Sequence, residues 1–139
     1  MESKTIKRFE DLLAWQKARV LTKSIYQQTA SGKFSRDCGL SDQLQRSAVS
    51  IMSNIAEGFE RQSATEYIRF IIIAKSSCGE LRSQLYTALD IGYISMELFK
   101  QLSDQAEEIS RVLSGLKSSL LNKEAAMIYT FPFPLSSFS

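Results

Sequence analysis

The stretch from Ser41 to Leu89 decides the fold; it reads SDQLQRSAVSIMSNIAEGF, then ERQSA, then TEYIRFIIIAKSSCGELRSQLYTAL. Its first half places apolar side chains on one face of an α-helix, and polar ones lie opposite. The apolar face is formed by Leu44, Ala48, Ile51, Met52, Ile55, Ala56 and Phe59. Ser41 or Asp42 is the expected N-cap. This half therefore predicts a two-faced helix.

The second half predicts a longer helix that begins at the capping-box pattern of Ser63 and Glu66. Its apolar seam steps by threes and fours through Tyr67, Ile71, Ala74, Cys78, Leu81, Leu85 and Ala88. Four further apolar residues lie off this seam: Ile68, Phe70, Ile72 and Ile73. A helix that is apolar nearly all round is buried on more than one side. Either the bundle wraps it completely or another subunit covers its second face, and we favour the second explanation.

Two amphipathic helices flank this pair. The first is expected from about Asp11 to about Thr29 and has extra apolar residues off its main face, Leu13 and Val20. The last is expected to follow a corner at Gly92, with Ser95 as its N-cap. Four helices, short connections and no strand signal predict an all-α fold, an antiparallel up-down-up-down four-helix bundle.

The bundle is expected to cover residues 1–121, and residues 122–139 form an apolar C-terminal tail. The helical pattern fails from Asn122, and Pro132 and Pro134 forbid a regular helix near the end. A free tail of this composition would expose a sizeable apolar surface. We therefore expect the tail either to dock on its own bundle or to bind a partner.

The sequence contains few of the residue types that catalytic sites use. The chain has no histidine, which removes the usual general base, and its two cysteines are too few and too far apart for a zinc site. Glu57 and Glu80 are expected to be solvated or paired with cations, Cys78 to be inert, and Asn54 to hydrogen-bond within the bundle. We expect no enzyme, no metal and no cofactor.

Charge is unevenly distributed. Residues 1–36 contain eight Lys or Arg against three acidic residues, whereas the remainder contains nine basic and twelve acidic residues. The basic end could contact nucleic acid, although a solvated face with a loose amino terminus is the simpler explanation. No membrane span or secretory signal is visible, so a cytoplasmic location is expected. The residues expected to bind nucleic acid are Lys7, Arg8, Lys17, Arg19 and Lys23.

Several motifs together resemble a known family. They are Phe9-Glu-Asp-Leu12 with Trp15-Gln-Lys17, the run Gly39–Ile51, Asn54-Ile-Ala-Glu-Gly58, and Gly92-Tyr93-Ile94. They resemble the four-helix-bundle family of 23S rRNA intervening-sequence proteins, also called S23 ribosomal proteins, over about residues 8–121. The resemblance implies a homopentamer, and a related branch binds nucleic acid and a reverse transcriptase. It brings no catalytic residues.

Two functions follow as expectations. The first is an oligomer that binds nucleic acid, RNA rather than DNA, through its basic surface. The second is an oligomeric scaffold for a protein partner, for example a reverse transcriptase. In both, the apolar residues outside the seams are expected to form the contacts between subunits: Leu13, Val20, Phe70, Ile72 and Ile73.

Overall fold

The computed structural model describes the backbone of residues 5–130 and the side chains of residues 5–123. After a 3-10 turn at Phe9–Asp11, this part of the chain forms five helices and no strand, which confirms the all-α class. The helices are α1 (Leu13–Thr29), α2 (Gly32–Arg36), α3 (Cys38–Phe59), α4 (Ala64–Asp90) and α5 (Met96–Thr130).

The four long helices surround one hydrophobic core. Both α1 and α4 pack against α3 and against α5, so α1 and α4 occupy opposite corners of the bundle. Between α3 and α4, Ser47 contacts Gln84 and Ser50 contacts Ser77, so these two helices run antiparallel. The largest fully buried side chains come from all four long helices, and they include Leu21, Ile25, Leu44, Ile51, Ile55, Ile71, Leu81, Leu85, Leu102, Ile109 and Leu113.

Helix α3 begins earlier than predicted. Its N-cap is Asp37, whose side chain accepts a 3.1 Å hydrogen bond from the Leu40 amide, so the predicted caps Ser41 and Asp42 are wrong. Ser41 is instead buried within the helix, where its hydroxyl donates to the carbonyl oxygen of Phe34 at 2.7 Å. In the sequence, Ser41 looks like an N-cap because its hydroxyl can bond to nearby backbone groups. The carboxylate of Asp37, four residues earlier, caps the helix instead.

Asp37 also connects the start of α3 to the corner that follows α4. Tyr93, at the corner after α4, donates its hydroxyl to Asp37 at 3.1 Å, and its ring lies 5.1 Å from that of Phe34. The corner itself forms as predicted. Gly92 has a φ of +83°, and Ser95 caps α5 by accepting from the Leu98 amide at 3.1 Å.

The corner between α3 and α4 is closely packed at Gly58. A Cβ atom there would stand 2.8 Å from the Phe70 Cβ and 3.2 Å from the Tyr67 ring, so this position needs glycine for close helix approach. Ser63 caps α4 as predicted, accepting from the Glu66 amide at 3.1 Å. The close approach fixes how tightly the central pair closes at this end.

Polar side chains cross between α3 and α4 beside the core. The Ser47 hydroxyl donates to Gln84 at 3.0 Å, and the Ser50 and Ser77 hydroxyls lie 2.9 Å apart. Asn54 donates to the backbone carbonyl of Ser50 at 2.8 Å, which confirms its predicted role as a hydrogen-bonding residue within the bundle. The two helices therefore meet through paired polar groups as well as apolar packing.

Helix α5 continues to Thr130, well beyond the break predicted at Asn122. The docking of the predicted tail lies outside the described residues. Within residues 5–130, no helix is both long and apolar enough to cross a membrane.

Candidate nucleic-acid interface

Two of the five predicted basic residues lie together around the single tryptophan. Arg19 and Lys23 line one surface depression of about 560 Å³ with Trp15, at successive turns of α1. The Arg19 guanidinium carbon lies 5.8 Å from the centroid of the Trp15 ring, within the range of a cation–π contact. Both cations are exposed, and neither forms an ion pair with any described side chain. Their charge remains available to a ligand.

The lead-in to α1 contributes one free cation and one paired cation. Lys7 is exposed in a neighbouring depression with Asp11 and makes no ion pair among the described residues. Arg8 pairs with Glu10, two residues along the chain. Gln16 lines the depressions of both Lys7 and Arg19, so these two surfaces are continuous.

Lys17 differs from Arg19 and Lys23, because it forms an ion pair with α5. Its ammonium group pairs with Glu108 of α5 at 2.9 Å, across the α1–α5 boundary. The hydrogen bond and charge of Lys17 lower the pKa of the Glu108 carboxyl. Gln16 and Val20 line both the groove of Lys17 and the depression of Arg19 and Lys23, so the two surfaces adjoin, but the charge of Lys17 is already partly neutralised.

The contact between Trp15 and Arg19 could have been predicted from the sequence, whereas the ion pair between Glu108 and Lys17 could not. Trp15 and Arg19 stand four residues apart, a spacing that brings side chains together on a helix. Glu108 is far from Lys17 along the chain, and only the packing of α1 against α5 brings them together. The basic surface is thus narrower than charge counting predicts.

The predicted subunit-contact residues fall into two exposed pairs and one covered residue. On α1, Leu13 and Val20 are 54% and 58% exposed, and both line a groove of about 260 Å³ beside Lys17. On α4, Ile72 and Ile73 are 46% and 37% exposed. Because α1 and α4 occupy opposite corners, the two pairs form separate surfaces, which we name the α1 apolar face and the α4 apolar face.

Phe70 differs from the other four, because its own chain covers it. It is only 7% exposed, and it packs against Gly58 while the guanidinium groups of Arg61 and Arg69 lie 4.8 and 5.6 Å from its ring centroid. The sequence pattern treats every apolar residue off the seam alike. Long arginine side chains can shield a ring that the pattern leaves exposed.

The groups that could support other chemistry are separated or buried. Among the described residues, no three His, Cys, Asp or Glu side chains approach as a metal site requires. Cys38 is exposed, whereas Cys78 is buried in the core, where burial raises its pKa to about 12. The described surface thus offers cations, an aromatic ring and apolar faces.

The bundle and its surface define a class of small helical proteins with exposed basic and apolar faces. Comparison with known proteins then identifies the family. The sequence pattern of the 23S rRNA-intervening sequence proteins matches residues 10–115, and the chain belongs to that family.

A solved structure supports the fold. It is a protein of unknown function from the S23 ribosomal protein family of Bacteroides thetaiotaomicron, similar at a TM-score of 0.69 and 23% sequence identity. The similarity covers 76% of this chain and 98% of the other. No curated protein gives a significant match.

Proposed function

We propose that this protein is a non-enzymatic, cytoplasmic, oligomeric RNA-binding protein. The observation that carries the proposal is the pair of exposed cations, Arg19 and Lys23, which flank Trp15 without an ion-pair partner among the described side chains. Unpaired cations attract the phosphate backbone whatever its sequence. The family name, which refers to 23S rRNA, favours RNA over other polyanions.

Assembly into a ring would strengthen such a surface. The α1 apolar face and the α4 apolar face lie at opposite corners, so the α1 face of one subunit can cover the α4 face of the next. This head-to-tail contact generates a closed ring when the rotation closes. The number five comes from the family resemblance. Several weak basic patches held in one ring bind a long RNA together, so each patch needs little affinity alone.

The proposal is tested by titrating the protein with a structured RNA at low and at moderate salt. Binding should weaken as salt rises, because the released counterions carry the affinity. The double variant Arg19→Gln/Lys23→Gln should bind more weakly and show a shallower salt dependence. The matched control, Lys100→Gln/Arg111→Gln, removes two exposed cations from α5 and should retain binding. Absence of binding at low salt would refute the function.

A second candidate is a scaffold for a protein partner such as a reverse transcriptase. It is favoured by the exposure of Leu13, Val20, Ile72 and Ile73, which a partner could cover instead of another subunit. A stoichiometric protein that co-purifies from the native host and survives nuclease treatment would favour the scaffold. Recovery of RNA alone would favour the first function.

A further inference from the structure

A second aromatic side chain lies exposed on α1, next to a cation from α3. Tyr26 is 46% exposed and lines a depression of about 450 Å³ with Arg46, Gln45 and Val49. Arg46 is exposed and forms no ion pair with any side chain of residues 5–123. An open ring and an unpaired guanidinium therefore meet on the surface between α1 and α3.

This depression lies on the same side of α1 as the surface around Trp15. At 3.6 residues per turn, Trp15, Arg19 and Tyr26 lie within about 40° of one another around α1. This side of α1 faces α3, since Thr22 on the same side donates to the Ala48 carbonyl of α3 at 3.2 Å. With 1.5 Å of rise per residue, the two rings stand roughly 16 Å apart. They lie in two separate depressions on one side of α1, and we name the surface that includes both depressions the α1–α3 groove.

The groove is held in shape by a hydrogen bond that does not use the Tyr26 ring or the Arg46 guanidinium. Gln45 donates to the Thr29 hydroxyl at 2.9 Å, which joins α3 to the last turn of α1 beside Tyr26. Glu10, the carboxylate at the Trp15 end, is paired with Arg8. Asp42 lines the Tyr26 end and can accept a hydrogen bond from a base N–H group, such as N3–H of uracil. The groove therefore contains three cations, Arg19, Lys23 and Arg46, and one carboxylate, Asp42, that forms no ion pair with a described side chain.

We propose that the α1–α3 groove binds a single-stranded segment of RNA, with Tyr26 stacking on one base and Arg46 contacting a phosphate. This inference rests on the proposed function and specifies the form of RNA. A duplex buries the flat faces of its bases in its own stack, whereas a single strand offers them to aromatic side chains. The distance between the rings spans about five nucleotides at a stacked rise of roughly 3.4 Å.

The test measures the binding of a labelled oligouridylate of about a dozen nucleotides to the full chain by fluorescence anisotropy, since site sizes for single strands are of this order. Tyr26→Leu keeps apolar cover but removes the flat ring, and it should weaken binding about tenfold. Tyr26→Phe should remain within about twofold, because stacking does not need the hydroxyl. Tyr86→Leu, at an exposed tyrosine of α4, is the matched control and should leave binding unchanged.

Arg46→Gln should lower the slope of log affinity against log salt by about 0.7, the value for one phosphate contact on a single strand. Arg111→Gln, at an exposed position on α5, is its control. Helicity and unfolding midpoint are measured for each variant, so a misfolded protein is recognised as such, and Arg46→Gln then decides the test if Tyr26→Leu does not fold.

Two results overturn the inference while leaving the proposed function intact. One is tighter binding of a duplex RNA than of the oligouridylate, and the other is equal binding by wild type and folded Tyr26→Leu. Failure of every RNA to bind at low salt overturns both the inference and the function.

Discussion

Gly58 of α3 and Phe70 of α4 approach so closely that a Cβ atom on the glycine would stand 2.8 Å from the Cβ of the phenylalanine. The contact lies at the corner where the chain turns from one central helix into the next. Phe70 in turn lies beneath two arginine side chains. The absence of a side chain at Gly58 thus allows α3 and α4 to pack closely at this corner.

Replacing Gly58 with alanine should destabilise the protein by about 1–3 kcal/mol, because the added methyl group overpacks a site that has no space. Gly79→Ala is the matched control. It lies within α4, and a Cβ there meets nothing within 4 Å, so alanine should stabilise the helix by about 0.5–1 kcal/mol. Urea unfolding at one fixed protein concentration measures both. Equal midpoints for the two variants would contradict the close contact.

The pair Lys17–Glu108 should make a pH-dependent contribution to stability. The pKa of Glu108 is lowered in the folded state from its ordinary 4.5, chiefly by the hydrogen bond from Lys17. The unfolded chain therefore binds more protons near that pH, and the contribution is complete above the ordinary pKa and lost as pH falls through the lowered one. Lys17→Met should reduce the melting temperature at neutral pH.

The difference between Lys17→Met and wild type should be largest at neutral pH and shrink in acid, as the Glu108 carboxylate of the folded protein becomes protonated. Differential scanning calorimetry at neutral and at acid pH decides the matter. A difference that persisted unchanged in acid would mean that Lys17 acts through its packing rather than through its charge.

The two cysteines should react at very different rates. Cys38 is exposed, whereas Cys78 is 1% exposed and its pKa is raised to about 12 by burial, so almost no thiolate forms there at neutral pH. A colorimetric thiol reagent should label one thiol per chain rapidly in the native protein and both in denaturant. Cys38→Ser should abolish the rapid reaction, and rapid loss of two thiols would contradict the burial of Cys78.

Charged substitutions on the two apolar faces should separate assembly from folding. Val20→Asp and Ile72→Asp each place a carboxylate where a neighbouring subunit is proposed to pack, and burying an unpaired charge is costly. Light scattering at micromolar concentration should show a smaller mass for each variant while circular dichroism retains native helicity. Ile91→Asp, at an apolar position 50% exposed on the corner after α4, should keep the full mass.

Mixing the two variants gives a further check on the contact. Each keeps one intact face, so a head-to-tail interface allows one Val20→Asp subunit to bind one Ile72→Asp subunit but cannot close a ring. Recovery of a dimer from the mixture would support this geometry. A monomeric wild type would show that no interface exists and would overturn the assembly proposal.

Trp15 is the only tryptophan in the chain and should report on RNA binding directly. Because Arg19 lies over its ring, displacement of that guanidinium toward a phosphate should change the emission. The change should appear with structured RNA at low salt and reverse when salt is added. Binding without any change in emission would place the RNA away from Arg19 and Lys23.

The periodic apolar pattern was sufficient to predict the all-α class and the bounds of the long helices near Thr29, Ser63 and Gly92. These features depend on neighbours a few residues apart, which sequence displays directly. The start of α3 was missed because Asp37 and Ser41 both carry side chains that can satisfy backbone groups. The choice between them depends on Phe34, whose burial positions the preceding turn.

The candidate site was less predictable than the fold. Counting charges identified Lys17 and Arg19 as equivalent, yet packing directs one toward Glu108 and the other toward Trp15. The cover over Phe70 was likewise missed, since part of it comes from Arg61, which reaches the ring from across the corner between α3 and α4. Contacts between distant segments decide such features, and no local pattern encodes them.

The polar pairs between α3 and α4 have a consequence for how faithfully the bundle forms. Two apolar helix faces can slide past each other by one turn and still bury most of their surface. A slide would separate the Ser50 and Ser77 hydroxyls and leave Ser47 without Gln84, and unpaired polar groups beside a core are penalised. These hydrogen bonds therefore favour the native register of α3 against α4 over a register shifted by one turn, which apolar contacts alone would tolerate.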